Sequence, residues 1–225
     1  PSRYPDRIIL TWSQNPATTQ SVTWRTDTTV KAAYGLIAKA GPSADFADSA
    51  QQVLAESSAL NSDEGVAHHH SVTFTGLSPG TLYAYRVGSD DGWSEWFQFR
   101  TASDKPESFS FIYLGDAQNA MRSYWARTIR QAFSDAPDAR FIVHAGDLVN
   151  RGYQDAHWGE WFEAGGWILA MLPSIPTVGN HEYHWSGTEW VGPPTPSWKA
   201  QFTLPTNGLP GLEEQTYYID YQGVR

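Results

Sequence analysis

Over the first hundred residues the apolar positions come in short bursts, none longer than a strand, separated by turn-forming residues. Residues 7–12 (Arg-Ile-Ile-Leu-Thr-Trp), 21–25 (Ser-Val-Thr-Trp-Arg) and 33–38 (Ala-Tyr-Gly-Leu-Ile-Ala) are rich in β-branched and aromatic side chains, which suit a pleated, half-buried backbone. At 69–75 the polar His69, Ser71, Thr73 and Thr75 interleave with His70, Val72 and Phe74, a period of two that gives one strand a polar and an apolar face. A Gly-Leu-Ser-Pro-Gly-Thr turn at 76–81 precedes a strand at 82–87, and Asp90-Asp91-Gly92 leads into another at 93–99. Roughly seven strands at this spacing predict a β-sandwich, and no amphipathic helix is expected before residue 105.

The pattern changes after a polar, proline-containing stretch at 101–107 that reads as a linker. Residues 109–114 (Phe-Ser-Phe-Ile-Tyr-Leu), 141–145 (Phe-Ile-Val-His-Ala) and 175–178 (Ile-Pro-Thr-Val) are apolar runs suited to buried strands. Ser123 is placed to cap a helix whose Trp125, Ile129 and Phe133 recur every four residues, and a Trp-rich helical stretch spans 154–171. Strand, helix, strand, helix, strand predicts a parallel α/β sheet with right-handed crossovers.

Each of these three strands runs into glycine and a polar set: Gly115-Asp116-Ala117-Gln118-Asn119, Gly146-Asp147-Leu148-Val149-Asn150-Arg151-Gly152 and Gly179-Asn180-His181-Glu182. In an open parallel sheet the carboxyl ends of the strands share one edge, where ligands bind. The three loops can therefore deliver two carboxylates, several amides and an imidazole to one place. That donor set suits hard or borderline divalent ions. Two of them about 3.5–4 Å apart would clamp a phosphate and activate a hydroxide between them.

Composition narrows the partners. Fifteen Lys and Arg stand against 24 Asp and Glu, a net charge of -9, which argues against nucleic acid as the main partner. Cysteine is absent, which removes disulfides, thiolate metal sites and Cys nucleophiles. No apolar run reaches the length of a membrane span, so no membrane partner is expected.

Two resemblances extend this reading. Residues 76–87 resemble the late-strand corner of a fibronectin type III domain, with Tyr83 where a Tyr hydroxyl ties the corner to the backbone. The three loop sequences, in order, resemble the first three blocks of the calcineurin-like metallophosphoesterase superfamily. Sandwich first and phosphoesterase second is the order of a purple acid phosphatase-type protein. The expected organisation is an all-β immunoglobulin/fibronectin III-like sandwich over 1–103, a linker at 104–107, and an α/β metallophosphoesterase domain over 108–225.

The resemblance implies a centre of two divalent or trivalent metal ions (Fe, Mn or Zn). Asp116 would bind the first, Asp147 would bridge both, and Asn180 would bind the second. His181 would stand unliganded beside the leaving group as general acid or transition-state stabiliser. The implied reaction is hydrolysis of a small phosphate monoester by a metal-bridging hydroxide. Two positions depart from the family pattern. Gln118 stands where superfamily members often have His and purple enzymes Gly; its amide oxygen is a candidate ligand. Asn150 replaces the iron-binding Tyr of purple enzymes, so no tyrosinate colour is expected. The family's late Gly-His-x-His block has no counterpart, and residues 217–225 read as a strand starting to pair with another; the domain is expected to be incomplete at its C-terminus. An exported protein, periplasmic or extracellular, is expected, its signal peptide not among these residues. Two other functions stay open: a phosphodiester or nucleotide hydrolase of the same superfamily, or a secreted adhesion or carbohydrate-binding protein with a degenerate phosphoesterase scaffold.

The remaining candidates carry a plain alternative each. Arg151 is a candidate for bidentate phosphate contact, against a salt bridge within its loop. His184 is a candidate pocket residue, against an ordinary loop position. His68, His69 and His70 alternate faces along a strand and cannot converge on one ion, and His144 is expected buried and satisfied. Trp158, Trp161 and Trp167 fall near helical spacing and are expected to pack. Trp185, Trp190 and Trp198, in a Pro-rich loop, are candidates for aromatic walls around an organic substrate, against simple loop packing.

Overall fold

A computed structural model describes every residue from Pro1 to Arg225. The first hundred residues hold nine strands: β1 (Asp6–Thr11), β2 (Gln20–Thr26), β3 (Tyr34–Lys39), β4 (Gln51–Leu54), β5 (Glu56–Ser62), β6 (Gly65–Phe74), β7 (Leu82–Ser89), β8 (Gly92–Trp93) and β9 (Phe97–Arg100). They pair antiparallel into two sheets, β1-β2-β6-β5 and β4-β3-β7, with β8 and β9 both on β7. Leu10, Trp24, Val72, Phe74, Tyr85 and Phe99 meet in the core between them. The Tyr83 hydroxyl accepts a hydrogen bond from the Ser78 N–H at 2.8 Å, which closes the corner before β7. Two findings go beyond the sequence reading. Strands β4 and β5 are mostly exposed and polar, so no apolar alternation marks them, and a short 3₁₀ helix occupies Ala44–Ser49.

The second region folds as β10 (Ile112–Leu114), α1 (Trp125–Asp135), β11 (Ile142–His144), α2 (Asp155–Gly165), α3 (Trp167–Met171) and β12 (Ser174–Pro176). The three strands are parallel, in the order β10-β11-β12. Helix α1 starts one residue after Tyr124 with no side-chain cap. Ser123 does not cap it because the chain enters through a tight turn, with the Ser123 and Tyr124 N–H groups both on the Ala120 carbonyl. The expected long helix over 154–171 is two helices, broken at Gly166, whose φ of 53 a side chain would resist. Trp158 and Trp161 lie wholly in the core, whereas Trp167 is half exposed and meets Phe133 edge-on. No helix is long and apolar enough to cross a membrane.

One face of this sheet is covered by helices: His144 of β11 lies between the rings of Trp125 and Trp161. Phe111 and Tyr113 stay exposed on the other. There Phe109, Phe141, Val143 and Ile175 line an apolar groove of about 320 Å³ with the segment around Tyr217 and Tyr221. That segment is not the expected strand; a single bridge joins Tyr221 to Val224, and Tyr221 packs on Phe109 and Phe141.

The sandwich and the α/β region share their cores. Ile9 of β1 packs into the α/β core and Ala170 of α3 into the sandwich core. The Tyr85 hydroxyl donates to the Ala170 carbonyl at 2.6 Å, and the Thr11 hydroxyl to the Thr203 carbonyl at 2.7 Å. At the centre of this contact Arg7 and Arg25 both bind the Asp155 carboxylate at 2.8 Å.

Candidate metal centre

The three strand-end loops do meet. The Asp116 N–H donates to the Gly146 carbonyl at 3.2 Å and the Gln118 N–H to the Asp147 carbonyl at 3.1 Å, so the first two turns are laced backbone to backbone. Both aspartates sit in the left-handed region, with φ of 52 at Asp116 and 50 at Asp147. A short polar side chain tolerates that conformation better than most, yet it still costs on the order of 1 kcal/mol or more per residue. Such strain persists where the surroundings impose it, and it clusters at functional sites.

The third loop closes on the second. A 3₁₀ turn at Asn180–Glu182 lays Gly179 against Asp147 so closely that a Cβ on Gly179 would stand 2.1 Å from Asp147 Oδ1. Only glycine fits there. The His181 N–H donates to Asp147 Oδ1 at 3.0 Å, and Gly152 N–H to the His181 carbonyl at 2.8 Å. His181 Nδ1 lies 2.7 Å from the Asn150 carbonyl. A carbonyl only accepts, so Nδ1 carries the proton and Nε2 is left free to exchange one.

Gln118 donates from Nε2 to Asp147 Oδ2 at 3.3 Å, while its Oε1 is buried with no hydrogen-bond donor. An acceptor buried beside a carboxylate, with no N–H or O–H to satisfy it, is an uncompensated cost unless a cation takes that place. The donor set therefore fits a hard or borderline metal ion. It is a partial set: no three His, Asp or Glu side chains converge on a point that could hold an ion. Asp116 and Asn180 lie exposed at the same edge. Arg151 is exposed and makes no ion pair, so the loop salt bridge considered for it is absent, and His184 lies further out, its ring stacked on Tyr153.

Glu182 has a role that sequence reasoning missed. It is fully buried, and its carboxylate takes four backbone N–H groups: Leu148 at 2.9 Å and Val149 at 3.3 Å on Oε1, Asp147 at 3.0 Å and Gly179 at 2.7 Å on Oε2. It thus pins the Asp147 turn to the third loop. Burial pushes its carboxyl up to about 7, aided by the Asp147 charge, while the N–H donors of Gly179, Val149 and Leu148 pull the other way. An acid three residues past a turn-opening glycine was the available signal. Glu182→Gln keeps the volume but turns an NH₂ toward two N–H donors. It is expected to cost about 2–4 kcal/mol of stability, read as a lowered denaturant midpoint.

An all-β sandwich joined to a parallel α/β sheet, with Asp, Gln, Asn and His gathered on the strand-end loops, is the architecture of a sandwich-bearing metallophosphoesterase. The chain belongs to the calcineurin-like phosphoesterase family, whose sequence model matches residues 109–224. Residues 5–101 match the model of the purple acid phosphatase N-terminal domain. Human acid phosphatase type 7 is 28% identical over 220 residues, covering 91% of this chain and 44% of that protein. The mouse protein of the same name is 26% identical over 211 residues, covering 89% and 44%. The chain thus spans less than half the length of the curated relatives it matches. Among solved structures, a purple acid phosphatase from yellow lupin (Lupinus luteus) superposes with a TM-score of 0.72 at 20% identity, covering 97% of this chain and 43% of that one. A structure of PhoD gives a TM-score of 0.57 at 12% identity, covering 81% and 40%. These two likenesses concern the fold.

Proposed function

We propose that the chain carries the front part of a dinuclear metal centre that hydrolyses phosphate monoesters. Asp116, Asp147, Asn180 and Gln118 would hold the ions. The observation that carries this reading is the buried Gln118 Oε1, an acceptor without a donor beside Asp147. A metal pair bound there would neutralise phosphoryl oxygens and lower the pKa of the attacking water. The chain's own groups do the rest. Glu182 holds the Asp147 turn in its left-handed form, and the Asn150 carbonyl fixes the His181 tautomer. His181 Nε2, once protonated, delivers its proton to the leaving-group oxygen. Arg151, free of ion pairs, reaches the phosphate from the loop, and His184 lies at the rim. The domain limits of 1–103, 104–107 and 108–225 belong to the same proposal. The uncovered apolar face of the parallel sheet supports reading the α/β region as part of a larger phosphoesterase domain, since parallel sheets are covered on both faces. We also read the protein as exported, a reading that rests on the lack of cysteine and on the sandwich domain.

The test is turnover of a simple phosphate monoester by the intact protein. Activity is expected to need added divalent or trivalent metal and to vanish in chelator. Asp147→Asn is expected to reduce it more than about a hundredfold, beyond the loss usual for a residue behind the ligands. Full turnover in chelator overturns the reading. A degenerate scaffold with a binding role is the second reading. It is favoured by the absence of a three-carboxylate or imidazole cluster and predicts no tightly bound metal in the intact protein. A phosphodiester or nucleotide substrate is separated from a monoester by a substrate panel.

A further inference from the structure

Just past the third loop the chain forms a hairpin, β13 (His184–Trp185) and β14 (Trp190–Val191), followed by α4 (Pro196–Gln201). Trp185 and Trp190 face each other directly across it. Their ring centroids are 5.0 Å apart, and the Trp190 ring lies 4.5 Å from the His181 imidazole. Three rings thus run outward in contact from the residue that meets Asp147. Core packing does not explain the outer pair. Trp198, from the same loop, is buried against Phe202, whereas Trp185 remains 43% exposed and Trp190 is half-buried. The rest of the hairpin, Ser186 to Glu189, is exposed and polar.

We propose that Trp185 and Trp190 form a leaving-group subsite that selects phosphate monoesters of planar aromatic alcohols, that is, phenolic phosphates. This rests on reading Asp147 and His181 as the phosphate-transfer centre. With the ester oxygen at His181 Nε2, a directly attached aromatic ring starts one bond from that oxygen, beside the imidazole whose ring Trp190 meets at 4.5 Å. There it can stack or meet an indole edge. An alkyl group offers no face to the indoles, and a nucleotide places a sugar where the first ring contact should be. An aromatic pair contributes about 0.5–1.5 kcal/mol beyond area burial, which for two indoles corresponds to roughly tenfold in affinity.

Calorimetry on the intact, Mn²⁺-loaded protein tests this with inert probes: inorganic phosphate, phenylphosphonate and propylphosphonate. The expected result is phosphate binding, with phenylphosphonate bound about tenfold tighter than propylphosphonate. That ratio should fall to about threefold in Trp185→Ala, which leaves Trp190 in place, and stay near tenfold in Trp185→Phe, which keeps an aromatic face. Phosphate binding with a ratio near one, or a ratio untouched by Trp185→Ala, overturns the subsite and leaves the metal centre standing. No phosphate binding by the wild-type protein removes the centre itself, and the subsite with it.

Discussion

Asp155→Ala is expected to destabilise the folded protein by about 3–5 kcal/mol, because it leaves a buried cation without its counter-charge. Arg7 reaches Asp155 with both terminal nitrogens, each at 2.8 Å, and also donates to the Asp155 carbonyl at 3.0 Å. Arg25 donates to the same carboxylate at 2.8 Å and holds Asp6 with its other nitrogens at 2.8 and 2.9 Å. The side chains of Arg7 and Asp155 are each only 4% exposed. Burial alone would raise the Asp155 carboxyl, but the Arg7 hydrogen bonds and the Arg7 and Arg25 charges outweigh it and hold it below the usual carboxylate range. In the variant Arg25 keeps Asp6, while Arg7 is left without an ion-pair partner and feels Asp6 only as a neighbouring charge. Because Arg7 belongs to β1 and Asp155 opens α2, the loss also weakens the contact between the sandwich and the α/β region, which Ile9 and Ala170 still join through the shared core. Denaturant unfolding should show a lowered midpoint. A Arg7→Met, Asp155→Leu double variant removes both charges and should recover most of the loss. A single-variant cost below about 1 kcal/mol would show that water reaches Arg7 and that the cluster is not a lock.

That cluster also marks the limit of what the sequence discloses. Arg7 and Asp155 are 148 residues apart, and nothing in the local pattern of either announces the other. Strands β10, β11 and β12 were legible because an apolar run is what a covered parallel strand requires, and the three loops because glycine and polar residues follow each run at once. Strands β4 and β5 were not, since exposed edge strands need no apolar face. The helical stretch over 154–171 reads as continuous because its Trp spacing runs through Gly166, and only the backbone angle there reveals the break. In the site, residue types were legible and geometry was not. The clamp by Glu182 depends on the left-handed turn at Asp147, a conformation that a Gly-Asp pair permits without requiring it. The aromatic ladder depends on a hairpin whose strands are two residues each, too short to leave a period.

The stability of the fold is expected to fall steeply between about pH 6.5 and 4, driven by buried histidines. Burial lowers His144 to about 3. Burial, with the Arg7 and Arg25 charges behind it, lowers His69 to about 4, and burial with His68 lowers His70 to about 4. His69 makes no well-formed hydrogen bond, with only the Ala200 carbonyl and the Asp155 charge to favour its cation, and His144 has only the Ser174 hydroxyl at 3.2 Å, so burial outweighs what would stabilise either imidazolium. The sign follows from which state binds protons first. Unfolded histidines take them near pH 6.5, folded ones only near 4 or below, so stability is fully present above 6.5 and is lost as the pH falls toward the folded values. For His69 and His144 the loss is of the order of 3 kcal/mol each once that range is crossed. Glu182 opposes the trend: its raised pKa means that the folded state takes a proton near pH 7, before an unfolded glutamate would, which offsets part of the loss. Thermal midpoints from pH 8 to 4 check the balance. His144→Phe, which fits the cleft between Trp125 and Trp161 without a titrating group, should lose visibly less over that range than the wild type. Parallel curves would mean that His144 takes up no proton on unfolding and that the acid sensitivity lies elsewhere.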